Sequence, residues 1–189
     1  IGIGSGVIEL NLFTSGYNVF SLDPSENSVN DLKKKGIKAK VGIVEKLPFE
    51  SNKFDCVLIS EVIEHIPSEN LKKSINEITR VLKPKGILIS TVPYNEILLD
   101  NKCVCPNCGS HFHRWGHHNS FHIETFSALF QNDYDILSLD NERISEERTL
   151  GFDIQVKFDK SMARIHTPGD STFKVDDYVP LEEVININK

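Results

Sequence analysis

The six residues I-G-I-G-S-G at positions 1–6 place glycine at every second position. Because glycine has no Cβ, a chain with this spacing can turn sharply and approach a bound ligand closely. Residues 7–13 follow as a predicted helix, and the free N–H groups at its start would point at the same ligand. The opening stretch therefore predicts a ligand-binding turn that leads into a helix.

An acidic residue ends the next predicted strand. The apolar run of residues 17–22 is followed by Asp23, and a carboxylate at this place holds ribose hydroxyls in nucleoside-binding α/β folds. The glycine spacing separates two cofactor classes, because dinucleotide folds use G-x-G-x-x-G and the third glycine would here fall on Val7 or Glu9. A nucleotide-binding oxidoreductase is therefore an alternative that the spacing disfavours.

Strands and helices alternate in the next part of the chain. Residues 56–60 are mostly apolar and of strand length, as expected for a parallel strand that is covered on both faces. A helix is predicted after Pro67, a turn at residues 82–86 and another strand at residues 87–92. This alternation predicts an α/β fold with a parallel sheet and right-handed crossovers. The buried stripe of the helix is predicted to be Leu71, Ile75, Ile78 and Leu82.

Four segments together resemble the class I S-adenosylmethionine-dependent methyltransferases. Besides the G-x-G-x-G turn, they are V-E-K-L-P-F with F-D at 44–55, E-V-I-E-H-I at 61–66 and the R-V-L-K-P turn that begins at Arg80. The resemblance implies a doubly wound, Rossmann-like, mostly parallel sheet with an antiparallel edge strand. Residues 151–158 alternate between apolar and other side chains, as that edge strand would.

The resemblance also implies S-adenosylmethionine as the cofactor, whose methyl group passes to a nucleophile by in-line displacement. Ile43 stands where the family has an Asp that receives the adenine amino group, so we expect that contact to be lost. The backbone of Val44 can still face the adenine. The implied cofactor-binding residues are Gly2, Gly4, Gly6, Asp23, Ile43, Val44, Ser60 and Glu61.

One histidine is the candidate catalytic residue. His65 lies in the E-V-I-E-H-I segment, and the ordinary pKa of histidine suits a general base near neutral pH. The alternative is a structural histidine that hydrogen-bonds the following helix. Tyr94 is a second candidate, and whether a base is needed depends on the methyl acceptor.

Residues 103–118 differ in composition from the rest of the chain. Five of the seven histidines fall between His111 and His122, and three of the four cysteines fall within six residues. Such close cysteines indicate metal binding rather than a disulfide framework, and they favour a reducing, cytoplasmic location. A structural zinc site with four sulfur and nitrogen ligands is predicted. Its ligands are Cys105, Cys108, His113 and His117, with Cys103 and His111 in reserve.

The alternatives for this insert are a polar loop and a degenerate ribbon that no longer holds metal. Four protein ligands leave no open position, which disfavours a catalytic zinc. The insert resembles the C-P-x-C-G…F-H-R-W-G-H…S-F segments of some bacterial and archaeal class I methyltransferases. It follows the predicted strand at residues 87–92, so we expect it to cap the substrate side of the site.

Charge and composition restrict the partners. The net charge of −6 argues against nucleic acid, and no apolar run approaches the length of a membrane span. A small molecule, a sugar or a lipid-linked intermediate fits this charge as the methyl acceptor. The alternative function is a catalytically inactive, zinc-stabilised nucleotide- or partner-binding module on the same fold, which Ile43 in place of Asp supports.

The chain is expected to form one methyltransferase domain over residues 1–189, with residues 103–118 as an insert. In the resembled family a central strand and an acidic residue precede the first glycine, and here they would lie before Ile1. We therefore expect the chain to be a fragment that does not fold normally alone. The oligomeric state is left open.

Overall fold

The computed structural model describes residues 1–130, 133–135 and 149–152. Helices and strands alternate through the first half, followed by a short hairpin, another helix and a final strand. In chain order they are α1 (Val7–Thr14), β1 (Phe20–Asp23), α2 (Glu26–Lys34), β2 (Lys38–Val41), β3 (Phe54–Ser60), α3 (Leu71–Val81), β4 (Leu82–Pro93), β5 (Lys102–Val104), β6 (His111–His113), α4 (Ile123–Ala128) and β7 (Thr149–Phe152).

Local sequence explains where helix α2 begins and ends. The hydroxyl of Ser25 accepts a hydrogen bond from the backbone N–H of Ser28 at 3.3 Å and so caps the first turn. Val29 and Leu32 are buried on the inner face. Gly36 adopts φ 83°, a left-handed conformation that suits glycine, directly after the helix.

Helix α3 carries three of the four residues of the predicted stripe. Ile75 and Ile78 are buried and Leu71 is half-buried, whereas Leu82 is buried as the first residue of β4. The predicted end of the helix is confirmed, because α3 ends at Val81, whereas residues 82–86 lie within β4 as an irregular stretch rather than as a separate turn. The register of β3 against β4 shifts there, and Lys85 adopts φ 65° within it.

The strands form two parallel pairs, one antiparallel addition and a separate antiparallel hairpin of β5 and β6. β1 pairs with β2, β3 pairs with β4, and β7 pairs antiparallel with β4. The predicted Rossmann-like α/β fold with an antiparallel strand is confirmed. Of the strand predicted at residues 151–158, Gly151 and Phe152 lie in β7, and residues 153–158 lie outside the described residues.

The first residues lie between the two parallel pairs. The N-terminal amine of Ile1 donates to the carbonyl of Leu58 on β3 at 2.7 Å, and the N–H of Gly2 donates to the carbonyl of Leu22 on β1 at 2.9 Å. The glycine turn therefore lies at the carboxyl ends of both pairs, which is the edge where open α/β sheets bind ligands.

None of the helices within the described ranges has the length and apolar character needed to cross a bilayer.

Candidate functional site

The glycine turn has three left-handed residues with different surroundings. Gly2, Gly4 and Gly6 adopt φ of 80°, 52° and 72°. A Cβ on Gly2 would clash with the side chain of Val62, and a Cβ on Gly6 would come within 2.9 Å of the side chain of Leu32. A Cβ on Gly4 would meet nothing within 4 Å. The left-handed backbone favours glycine at all three positions, packing adds to this at positions 2 and 6, and position 4 leaves an open approach to the backbone.

Asp23 fastens this turn to the end of β1. One of its carboxylate oxygens accepts from the N–H of Ile3 at 2.7 Å, and the other accepts from the N–H of Ser25 at 2.7 Å. A carboxylate has about four acceptor positions, so two remain for the hydroxyls of a ribose. The structure thus places Asp23 beside the glycine turn, as the sequence predicts.

The two residues predicted to line the adenine differ in exposure. Val44 is buried, whereas Ile43 is 53% exposed just beyond the carboxyl end of β2. An exposed apolar side chain beside a ligand-binding edge can cover the face of an aromatic base. This placement is compatible with the predicted contact, which stays a prediction.

A polar network that the sequence did not indicate holds the loop after Val44. Glu77 on α3 accepts from the N–H of Leu47 at 2.8 Å. Arg80 donates to Glu77 at 2.7 Å and to the carbonyls of Leu47 and Phe49 at 3.0 and 2.8 Å. These bonds lower the pKa of Glu77, chiefly through the hydrogen bond from Arg80. The matched R-V-L-K-P segment therefore also anchors the L-P-F segment.

At the end of β3, two hydroxyls order an acidic residue. Ser60 and Thr91 share a hydrogen bond of 2.6 Å, and the hydroxyl of Thr91 donates to Glu61 at 2.8 Å. Glu61 adopts φ 53°, a conformation that costs a residue with a Cβ about 1 kcal/mol or more. Burial raises the pKa of its carboxyl. The structure therefore brings the predicted residues Ser60 and Glu61 together in a constrained turn.

Three residues further along the chain lies a buried carboxylate. Glu64 is 1% exposed, and neither of its oxygens has a hydrogen-bond partner among the residues described. Burial chiefly, together with the nearby Glu61 and Glu96, raises its pKa to about 8. Such a group is unusual, because an ionised carboxylate without a partner is costly to bury.

The candidate catalytic residue His65 lies against the insert rather than against the following helix. Its Nδ1 is 3.3 Å from the carbonyl of Gly116, and its Nε2 is 3.9 Å from Glu64. Its ring packs edge-on against His117, with 4.7 Å between the ring centres. Burial and the neighbouring His117 lower the pKa of His65. Its role as a base stays a prediction. The hydrogen bond of its ring is made with Gly116 in the insert instead of with the following helix.

The histidines of the insert contact an acidic residue that the sequence did not single out. His117 Nδ1 lies 2.5 Å from one oxygen of Glu96, and His113 Nε2 lies 3.4 Å from the other. The two imidazole rings stack with 4.8 Å between their centres. Glu96, His113 and His117 each place a ligand atom within 4.8 Å of the others, and so do Glu64, His65 and His117.

The cysteines of the insert form a separate turn. The N–H of Gly109 donates to the carbonyl of Cys105 at 2.9 Å, and the N–H of Cys105 donates to the carbonyl of Ser110 at 2.8 Å. Hydrogen bonds from Ser110 and from Cys105 lower the pKa of the Cys108 thiol. Within the described part of the chain, no group of three ligand atoms includes a cysteine. The structure thus brings Cys105 close to Cys108 and His113 close to His117. The set of all four as zinc ligands stays a prediction.

The insert is bound to the loop after β3 by backbone contacts. The N–H groups of His118 and Asn119 both donate to the carbonyl of Glu64, at 2.8 and 3.2 Å. The side-chain amide of Asn119 donates to the carbonyl of Ile66 at 2.6 Å and accepts from the hydroxyl of Ser68. The end of the insert therefore covers the loop that carries Glu61, Glu64 and His65.

Comparison with known proteins identifies the domain. Residues 1–90 match the family model described as "Methyltransferase domain". An uncharacterised protein of Methanocaldococcus jannaschii is 35% identical over 119 residues, which cover 63% of this chain and 50% of that protein. A ubiquinone biosynthesis O-methyltransferase of Rickettsia bellii is 30% identical over 102 residues, covering 49% of this chain and 40% of the relative.

Solved structures share the fold. A SAM-dependent methyltransferase of Methanosarcina mazei superposes with a TM-score of 0.62 at 18% identity, covering 79% of this chain and 85% of that one. The predicted class is confirmed: residues 1–90 belong to the methyltransferase domain family, on the Rossmann-like fold of the class I S-adenosylmethionine-dependent methyltransferases. The chain spans half or less of the length of the two curated relatives described above.

Proposed function

We propose that the protein transfers the methyl group of S-adenosylmethionine to a small-molecule, sugar or lipid-linked acceptor. The observation that carries this proposal is the glycine turn fastened by Asp23 at the carboxyl ends of β1 and β3. Position 4 fits a ligand, because the space beside its backbone is open. The net charge of −6 favours such an acceptor over nucleic acid.

In this function the residues of the site orient the cofactor and exclude water. The sulfonium of the cofactor supplies an already reactive methyl donor, so positioning accounts for most of the catalysis. Gly2, Gly4 and Gly6 shape the turn, Asp23 offers its remaining acceptor positions to the ribose, and Ile43 and Val44 line the adenine. Ser60 and Glu61 hold the end of β3 in place through Thr91.

His65 is proposed as the base where the acceptor needs one. Its Nδ1 faces the carbonyl of Gly116, so that nitrogen carries the proton in the neutral ring. Its Nε2 is then free to accept a proton. The lowered pKa of His65 favours the neutral ring at neutral pH. These observations support a base, and an acceptor whose nucleophile is already deprotonated would not need it.

A structural zinc in the insert is the second part of the proposal. Three observations support it: the thiols of Cys105 and Cys108 are adjacent, Gly109 closes the turn between them, and the pKa of Cys108 is lowered. His113 and His117 are the proposed partners, and Cys103 and His111 are the reserve ligands. A reducing, cytoplasmic location, in which these thiols stay free, belongs to the same proposal.

The other candidate function is a binding module without catalysis. Ile43 in place of the family's Asp favours it, because that residue cannot receive the adenine amino group through its side chain. Both candidates share the fold, so cofactor binding and turnover decide between them.

The experiment is a calorimetric titration of S-adenosylhomocysteine into the protein, with NAD as a parallel ligand. Saturable binding of S-adenosylhomocysteine alone is expected. Asp23→Asn removes the charge that receives the ribose hydroxyls, so we expect affinity to fall about tenfold or more. The matched control Asp31→Asn alters an exposed pair with Lys34 on α2 and leaves binding unchanged.

Absence of binding from folded wild-type protein would favour the binding module. Binding of NAD alone would favour an oxidoreductase. An Asp23→Asn variant that binds as tightly as wild type would remove the proposed role of Asp23.

A further inference from the structure

We propose that Glu64, His65 and His117 bind a divalent transition-metal ion, Zn²⁺ in the first instance, at the junction between the loop after β3 and the insert. One ligand atom of each residue lies within 4.8 Å of the other two. The three side chains come from two segments about fifty residues apart, which backbone hydrogen bonds from His118 and Asn119 hold together. The ligand atoms are thus placed by the fold before any ion arrives.

The carboxylate of Glu64 is the first argument. It is 1% exposed, and both oxygens lack a hydrogen-bond partner among the described residues. A buried, unpartnered polar group costs free energy that native structures normally avoid. A cation coordinated by these oxygens would satisfy them directly, and no cationic Lys or Arg side chain is bonded to them in the described structure.

The hydrogen bonds of the two histidines are the second argument. His65 directs Nδ1 to the carbonyl of Gly116, and His117 directs Nδ1 to the carboxylate of Glu96. In both rings the proton therefore belongs on Nδ1, and Nε2 keeps a free lone pair. Histidines that bind metal commonly donate their other N–H to a carbonyl or a carboxylate in this way.

The neighbouring group of Glu96, His113 and His117 lacks this arrangement. His113 Nδ1 accepts from the N–H groups of Trp115 and His117, at 3.3 and 3.1 Å, so the proton of the neutral ring lies on Nε2. That protonated nitrogen lies 3.4 Å from Glu96, so His113 could join the proposed cysteine site only after giving up its hydrogen bonds from Trp115 and His117. His113 therefore supports the charge of Glu96, which in turn orients His117.

The ligand set indicates the kind of ion. Two imidazoles and one carboxylate suit Zn²⁺ and similar transition metals, whereas Mg²⁺ and Ca²⁺ prefer oxygen ligands alone. Three protein ligands leave at least one coordination position open, as in catalytic rather than structural zinc sites. His65 is 42% exposed, so solvent reaches this side of the site. An ion on Nε2 of His65 would make this residue a ligand rather than the proposed base. An acceptor oxygen at the open position rests on the proposed function, whereas ion binding does not.

This site and the predicted cysteine site both use His117, so the experiment must separate them. The protein is freed of metal with a chelator and titrated with Zn²⁺ and with Co²⁺, with folding of each variant checked by circular dichroism. We expect Glu64→Gln and His117→Gln to lose Zn²⁺ affinity by about tenfold or more, and Glu96→Gln by about tenfold through the orientation of His117. The matched control His118→Gln removes a neighbouring exposed histidine outside the group and leaves affinity unchanged.

The Co²⁺ spectrum and a cysteine variant show whether the ion binds at this site or at the cysteines. Bound Co²⁺ is expected to lack the intense charge-transfer absorption of thiolate ligands, and Cys105→Ser with Cys108→Ser is expected to leave the affinity of this site unchanged. Thiolate absorption that disappears in the cysteine variant, together with unchanged Zn²⁺ binding in Glu64→Gln, would overturn the proposal. Binding of S-adenosylhomocysteine to the metal-free protein is measured separately, so loss of the metal site and loss of the proposed function remain distinguishable.

Discussion

Two glutamates, the half-buried Glu77 on α3 and the buried Glu64 after β3, have opposite hydrogen-bonding environments. Glu77 accepts hydrogen bonds from Arg80 and from the backbone of Leu47. Glu64 accepts none from the described residues, although it is the more deeply buried of the two. The carboxylate of Glu77 is therefore satisfied by hydrogen bonds within the chain and supports the fold. The carboxylate of Glu64 lacks such partners, and the proposed metal ion would supply one.

The pKa values of Glu77 and Glu64 shift in opposite directions. The hydrogen bond from Arg80 lowers the pKa of Glu77, so its ionised form contributes to stability. Burial raises the pKa of Glu64 to about 8, so its ionised form opposes folding near neutral pH. A buried acid with a raised pKa and no partner is a better pointer to a ligand site than a buried acid as such.

The largest expected effect comes from breaking the complete network. Arg80→Met leaves Glu77 and the carbonyls of Leu47 and Phe49 without their donor. We expect a loss of about 2 kcal/mol in the free energy of unfolding, measured by urea denaturation, because a partly buried network loses its cation. Arg114→Met is the matched control, since Arg114 is exposed and packs on the exposed Trp115.

A loss for Arg114→Met as large as that for Arg80→Met would mean that arginine substitution alone, rather than the network, sets the result.

An intermediate effect is expected for Glu77→Gln, which keeps one acceptor oxygen and loses the charge. We expect about 1 kcal/mol of destabilisation at pH 7. Because the folded pKa lies below the ordinary 4.5, the stabilisation by ionised Glu77 is present above pH 4.5 and disappears as the pH falls through the lowered value. Urea denaturation of both proteins from pH 7 to pH 3 should therefore show their difference shrinking in acid.

A difference that grows in acid would show that Glu77 is not stabilised as a carboxylate.

The smallest effect, and the sharpest contrast, is expected for Glu64→Gln in chelator. At pH 5, just above the ordinary pKa of 4.5, replacing this acid with a neutral amide should stabilise the protein by less than about 1 kcal/mol, and the gain should grow towards pH 7 as folding has to protonate Glu64. With Zn²⁺ present the order should reverse, because only wild type gains stability from binding. Thermal unfolding with and without Zn²⁺ measures both states.

Equal stabilisation of wild type and Glu64→Gln by Zn²⁺ would place the ion elsewhere.

Sequence patterns predicted the parts of the molecule that depend on neighbouring residues. The glycine turn, Asp23 at the end of β1 and the stripe of Ile75 and Ile78 on α3 all follow from local spacing. Residues 82–86 end helix α3 as predicted, but they belong to an irregular start of β4, which the spacing of Pro and Gly did not indicate.

Partners that lie far apart in the chain were not predictable in the same way. Arg80 reaches residues 47 and 49 across about thirty positions, and no spacing rule connects them. Glu96 belongs to no motif, yet it orients His117. Glu64 stood inside a recognised segment without a role, because only the folded insert brings histidines to it.

Trp115 lies in the short loop between His113 and His117, and it is the single tryptophan of the chain. Its ring is 52% exposed and has the guanidinium of Arg114 over it at 5.1 Å. The intrinsic fluorescence of the protein on excitation of tryptophan therefore comes from this one loop. Any event that moves His117 alters the surroundings of that indole, so the natural chain carries its own optical reporter and needs no attached dye.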